Sequence, residues 1–223
     1  MHLFKTSFNG NPNIGLLGIA TDEYCIIGIQ IPEKTIHRIE ETLKVPVIIT
    51  SICGTELAGV FCAANSRCLL LPDITFSNEL KILDKHKINY ELIKTKHTAL
   101  GNNILCNDFG CIVSKKLGKT EINKIEKALG VKVEESTINK LDIIGAAAVL
   151  NTKGCLVHED IKKEEKDKIE RMLNTICGTG TINMGSPFVK AGVIANSNGI
   201  IVSSSSGNPE VMNADEVLGF VER

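Results

Sequence analysis

One short pattern recurs five times along this chain: an apolar run, a polar turn, then a second apolar run. Its copies are Gly15–Cys25, Gly59–Leu69, Gly101–Cys111, Gly145–Cys155 and Lys190–Ile200. The turns open at Thr21, Asn65, Asn107, Asn151 and Asn196, at intervals of 44, 42, 44 and 45 residues. Gly stands six residues before the turn in four copies, and Lys190 takes that place in the fifth. A near-constant period over the whole chain means one supersecondary unit repeated, each copy burying its apolar face on a neighbour. Asn at the turn opening with Gly three residues on (Gly110, Gly154, Gly199) predicts a type I turn, with Gly in the left-handed position beside a bulge. Each copy therefore reads as a tight β-hairpin.

A helix follows each hairpin. Residues 33–43 place Ile36, Ile39 and Leu43 on one stripe, and 119–129 place Ile122, Ile125 and Leu129 at the same spacing. Residues 162–173 offer Ile169, Met172 and Leu173 opposite a charged face; 77–86 offer Leu80 and Leu83; 214–220 offer Val217 and Leu218. A single apolar stripe belongs to a helix lying outside a sheet. Apolar strands come next at 45–50, 88–93 and 131–135. The unit is strand, strand, helix, strand. The fifth copy has no closing strand before Arg223, while a strand-like piece, Leu3–Phe8, precedes the first hairpin. That piece is expected to complete the last unit, leaving no open sheet edge. The expected fold class is α/β. One closed domain, residues 1–223, carries five ββαβ repeats around a pseudo-fivefold axis, with hairpins inside and helices outside. The repeats fall roughly at 10–52, 53–96, 97–139, 140–183, and 184–223 plus 1–9. Ser203–Pro209 reads as a loop.

Composition narrows the function. The net charge is −1 and aromatic residues are 4%, so neither a bulk positive field nor a base-stacking platform for nucleic acid is expected. No apolar run reaches the roughly 18–20 residues of a bilayer span, and the start lacks the features of a signal peptide. The expectation is a soluble cytoplasmic chain with no membrane or DNA partner and little direct RNA contact. None of the eight cysteines forms a Cys-x-x-Cys pair, so zinc-knuckle spacing is absent and no metal or cofactor is expected. Cys25, Cys111 and Cys155 sit four residues after the turn opener, where the other copies have Leu69 and Ile200. That position is a buried apolar slot. Gly178–Thr181 lacks the Lys-Ser or Lys-Thr of a phosphate loop. The Lys162–Lys168 stretch, with its interleaved acids, is a solvated helix face. His158 is expected to end a strand at the surface.

Four segments carry a resemblance: Ile14-Gly15 after Asn13; Thr98–Asn102 leading to Cys106–Asp108; Gly154–His158 after Asn151; and Thr179–Asn183 before Gly185. Together they make the chain similar, over essentially its whole length, to the translation initiation factor six family of the pentein fold. The resemblance implies a non-enzymatic, monomeric factor. It would bind the large ribosomal subunit on ribosomal proteins beside the sarcin–ricin loop, and sterically block the small subunit. Eukaryotic relatives carry a Ser-rich tail beyond the point where this chain ends, so the likeness is to the archaeal type. They also carry a basic residue where this chain has Val60.

Equivalent positions in five units form rings about the axis. One ring begins the first hairpin strand: Gly15-Leu16, Gly59-Val60, Gly101-Asn102, Gly145-Ala146 and Lys190-Ala191. Its glycines permit close backbone approach, either between units or by a partner. With Asn13 this ring is the expected docking face, and Asn102 matches the family position that meets the ribosome. Two other functions compete. One is a pentein-type Cys-dependent hydrolase of guanidino substrates, which would need a late Cys nucleophile, whereas the last Cys is Cys177. The other is an assembly module for non-ribosomal proteins.

Overall fold

The computed structural model describes residues 1–221, so the last two residues of the expected fifth repeat lie outside the described residues. The chain opens with β1 (Leu3–Thr6) and a single helical turn, α1 (Ile14–Leu17). A hairpin of β2 (Gly18–Ala20) and β3 (Cys25–Ile27) leads to α2 (Glu33–Leu43), and β4 (Val47–Ile49) returns parallel to β3. The order then repeats with α3 (Ala58–Phe61), β5 (Ala63–Ala64), β6 (Leu69–Pro72), α4 (Ser77–Lys85) and β7 (Tyr90–Ile93). Next come α5 (Leu100–Asn103), β8 (Ile104–Cys106), β9 (Cys111–Ser114), α6 (Lys119–Leu129) and β10 (Val133–Ser136). The fourth set is β11 (Ala148–Leu150), β12 (Cys155–His158), α7 (Lys163–Leu173) and β13 (Cys177–Gly180). The last is a 3₁₀ turn (Val189–Gly192), β14 (Val193–Ala195), β15 (Ile200–Ser203) and α8 (Asn208–Val217).

The strands form five three-stranded sheets. Four are built from consecutive strands. In the fifth, β1 supplies the parallel third strand beside β15 and β14. The N-terminal strand thus completes the last unit, as the repeat requires. One register governs all five. The residue four after each turn opener faces the first residue of the third strand: Cys25 with Val47, Leu69 with Tyr90, Cys111 with Val133, Cys155 with Cys177, Ile200 with Leu3. Cys25, Leu69, Cys111, Cys155 and Ile200 are all fully buried, so these cysteines are core apolar side chains.

The core is divided among the seams. Five apolar clusters each lie between two neighbouring sheets. One joins Ile26 and Ile48 to Leu69 and Leu83; another joins Ile27 and Ile39 to Ile194 and Ile201, across the junction of the last and first units. The helices pack outside with the stripes their spacing predicts. α6 buries Ile125 and Leu129, and α7 buries Ile169, Met172 and Leu173. Each such side chain contributes about 1.5–3 kcal/mol when fully withdrawn from water.

Several expectations are corrected. The last helix spans 208–217, not 214–220, and Ser203–Pro209 is no single loop: Ser203 ends β15, while Asn208 and Pro209 begin α8. Proline suits a helix's first turn, where its missing N–H has no partner to lose. The ring of Gly15, Gly59, Gly101 and Gly145 does not begin the hairpin strands. Gly15-Leu16, Gly59-Val60 and Gly101-Asn102 lie in one-turn helices, Lys190-Ala191 in the 3₁₀ turn and Gly145-Ala146 in a turn, and the strands start two to four residues later. A short apolar run has no period long enough to separate one helical turn from a strand. Gly110, Gly154 and Gly199 do not adopt positive φ. Each is glycine because a Cβ would collide with a carbonyl in the next unit's helix, of Met172, Val217 or Thr42 respectively. His158 is buried, not at the surface. Its Nδ1 accepts the Asp160 N–H at 3.1 Å and its ring meets Phe188 edge-on.

Candidate functional site

Two sets of hydrogen bonds tie the units together and define two faces of the ring. On one face the hairpin turns do the work. Asn151 Oδ1 accepts the N–H of Lys153 and Gly154 within its own turn. Its Nδ2 donates to the carbonyls of Asn196 and Leu218 in the next unit. Asn196 repeats this toward Thr21 and Leu43, closing the ring, and Asn65 toward Asn107 and Leu129. Asn107 donates to Leu173. Each amide thereby satisfies an orphan carbonyl at the end of a neighbouring helix. Thr21 is the exception: its hydroxyl serves its own turn but cannot reach further. There the seam of the first and second units opens into a cleft of about 200 Å³ lined by Tyr24, Arg67 and His86.

On the other face, the third strands run into tight turns that lead to the one-turn helices. Glutamates from the outer helices hold three of these turns. Glu79 accepts from Ser51 Oγ and the N–H groups of Cys53, Gly54 and Phe76. Glu165 serves Thr137, Asn139, Lys140 and Lys162 likewise, and Glu210 serves Thr181, Met184, Gly185 and Gly207. Burial pushes these carboxyls up, but the convergent donors outweigh it and hold all three below the ordinary carboxylate value.

The predicted ring residues come together around the axis on this second face. An added Cβ on Gly59 would strike the Gly15 carbonyl, on Gly101 that of Gly59, on Gly145 that of Gly101, and on Gly15 that of Lys190. The glycines therefore serve approach between units. What faces outward is the residue after each: Leu16, Val60, Asn102, Ala146 and Ala191 are all partly exposed, as is Asn13. Asn102 donates its N–H to Ala99 and accepts Gly145 N–H on its carbonyl at 2.9 Å. Its side-chain Oδ1 is buried without a hydrogen-bond partner.

Four neighbours escaped the sequence reading. Leu57 and Phe188 precede the glycine ring at one repeat offset, equivalent to Asn13, and expose about a third of their surface; Met184 is 84% exposed. Asn183 donates to Asn13 Oδ1 at 3.2 Å, while its own Oδ1 is buried without a partner. The repeat offset would have found Leu57 and Phe188. The result is a shallow face of small residues, exposed apolar side chains and two unpartnered amide oxygens.

Among the described residues no group of three or more His, Cys, Asp or Glu side chains could hold a metal ion. Burial pushes the Cys25 thiol up to about 12 and raises Cys111 as well, against the thiolate a nucleophile requires. Among the described residues no helix is long and apolar enough to cross a membrane.

Residues 3–217 match the eIF-6 family. The chain is 45% identical to translation initiation factor 6 of Pyrococcus furiosus and 37% identical to that of Pyrococcus horikoshii, covering 99% of this chain and 100% of each relative. It is 37% identical to the Staphylothermus marinus protein of that name over 95% of both chains. Translation initiation factors of this name are not enzymes, and the closed ring of five ββαβ units is the pentein architecture that the repeat predicts. The chain belongs to the eIF-6 family of translation initiation factors.

Proposed function

We propose that this chain binds the large ribosomal subunit through its one-turn-helix face and sterically keeps the small subunit from joining. Leu16, Val60, Asn102, Ala146 and Ala191 form the inner contact, with Asn13, Leu57 and Phe188 around them. One observation supports the placement: on this ring Asn102 Oδ1 is buried and lacks a hydrogen-bond partner. A buried carbonyl oxygen left unpaired costs about 1–3 kcal/mol. A turn of the Asn102 side chain brings this oxygen out to a backbone N–H or a Lys or Arg side chain of a docked ribosomal protein, which recovers that cost. An interface of this kind buries roughly 800 Å² per partner, its energy concentrated in a few desolvated anchors. Exposed Leu57, Phe188 and Met184 suit that role. The mechanism is occupancy. A monomeric cytoplasmic ring covers a surface the small subunit needs, with protein rather than RNA supplying most contacts, and no nucleotide or metal takes part.

Co-sedimentation with isolated large subunits tests this. Asn102→Arg, its fold checked by circular dichroism, sets a long cation against the partner's donors. It is expected to lower binding at least tenfold and to restore subunit joining. Full-strength binding by that variant, with unchanged anti-association, would overturn the placement.

A further inference from the structure

The ring of inward positions holds four glycines and one lysine, and the lysine is the anomaly. From the fifth unit, Lys190 reaches across the axis, where its Nζ donates to the Gly101 carbonyl at 2.7 Å. Below it the axial strands enclose a cavity of about 90 Å³, walled by Ala20, Ala64, Leu105, Val149 and Ile194. A second cavity of about 80 Å³ lies among the hairpin turns and shares Ala20, Ala64, Cys106, Leu150 and Ala195 with the first. The two adjoin to form an axial well that leads from the hairpin turns to Lys190. The mouth carries Asp22 and Asp108, but both are engaged: Asp22 accepts Ser197 N–H and Oγ–H, and Asp108 accepts Ser66 N–H.

Lys190 is electrostatically isolated. An ammonium has three donors, and its one hydrogen bond here is to Gly101. Among the described residues no carboxylate pairs with it within 4 Å. Withdrawing an ammonium from water without a counter-charge is costly. Burial accordingly pulls Lys190 down to about 8, against the opposing pull of the Cys62 and Cys106 thiols, the two titratable groups acting on it. Even so, it remains largely protonated at neutral pH. The second cavity is polar, lined by Asn65, Asn107, Asn151 and Asn196, but the first is mainly apolar, and a lone cation at its end selects a monoanion with an alkyl tail: the walls disfavour a strongly hydrated phosphate, and the ammonium disfavours an amine.

We propose that the axial well binds a short aliphatic carboxylate, its oxygens on Lys190 Nζ and its alkyl chain against the alanine-rich wall. The well opens on the hairpin-turn face, and Lys190, a member of the glycine ring, is its link to the proposed docking face.

Calorimetry and thermal unfolding of the intact chain, with sodium butyrate at constant ionic strength, provide the test. Butylammonium chloride and sodium chloride serve as controls. Saturable 1:1 binding of butyrate alone is expected, at least tenfold weaker in Lys190→Met and weaker above pH 9 in the native chain. A peptide ending in a free carboxylate, beside its amide, shows whether the acid can also arrive on a polypeptide. No saturable butyrate binding, or equal binding by Lys190→Met, would overturn the proposal. Should that variant not fold, reductive methylation of the native chain decides. Butyrate must protect Lys190, read by mass spectrometry, and an unprotected Lys190 sinks the idea.

Discussion

Asn151 works in two directions at once. Its oxygen shapes its own turn, and its amide nitrogen reaches two carbonyls of the next unit. Replacing it with alanine leaves the buried carbonyls of Asn196 and Leu218 without this donor and removes the cap of the turn. The expected loss is about 2–4 kcal/mol from these combined bonds, read as a lower denaturation midpoint with an unchanged slope in urea. Asn151→Asp keeps the acceptor but not the donor, so it separates the two roles. Only the first was legible in the sequence. The Asn-to-Gly spacing announces a turn, but nothing local says that the amide crosses a seam. Gly110, Gly154 and Gly199 mislead in the same way. Their spacing suggested a left-handed turn residue, whereas the space they leave is filled by a neighbouring helix. His158 was misplaced because burial of a strand-ending polar residue depends on the ring around it.

At the scale of elements, α2 and α6 coincide with the spans their periodicity predicts, because Ile39 and Leu43, or Ile125 and Leu129, recur at helical spacing against a polar face. α8 does not announce itself: its buried face is Val211, Ala214 and Val217, and its N-terminus lies in a Ser, Gly and Pro stretch that reads as loop. The ring of small residues was assigned to the wrong element, because four apolar residues hold no period. The outer helices also act at their first turns, through Glu79, Glu165 and Glu210. Each carboxyl titrates below its ordinary value in the folded chain, so it stabilises the fold above the unfolded value near 4.5, and that contribution disappears as pH falls through the lower folded value. Each of Glu79→Gln, Glu165→Gln and Glu210→Gln is expected to cost about 1–3 kcal/mol at pH 7. The difference from the native chain should shrink toward pH 3, measured by urea unfolding across that range. A constant difference would show that packing, not charge, is what the glutamates supply.

For the whole molecule, the decisive fact is that each apolar cluster belongs to two sheets. A unit removed from the ring loses half of two cores. Deleting residues 1–6 strips β1 from β15 and takes Phe4 and Leu3 from the clusters on either side of the last sheet. The expected result is loss of the single cooperative unfolding transition, seen by calorimetry, with aggregation through the bared β15 edge. A truncated chain that unfolded as sharply as the native one would show that closure contributes little. Hydrogen exchange should find the weakest seam between the first and second units, where Thr21 stands in place of asparagine and the cleft by Tyr24 opens. The period and the orphan N-terminal strand made closure readable from sequence, but the sharing of cores between units became visible only in three dimensions.

The pairing of β1 with β15 also sets an order of events during synthesis. β1 finds its mate only when residues 200–203 have been made. Until then the growing polypeptide carries both an unmated β1 and a half-built first cluster, so the ring cannot close before β15 has been made.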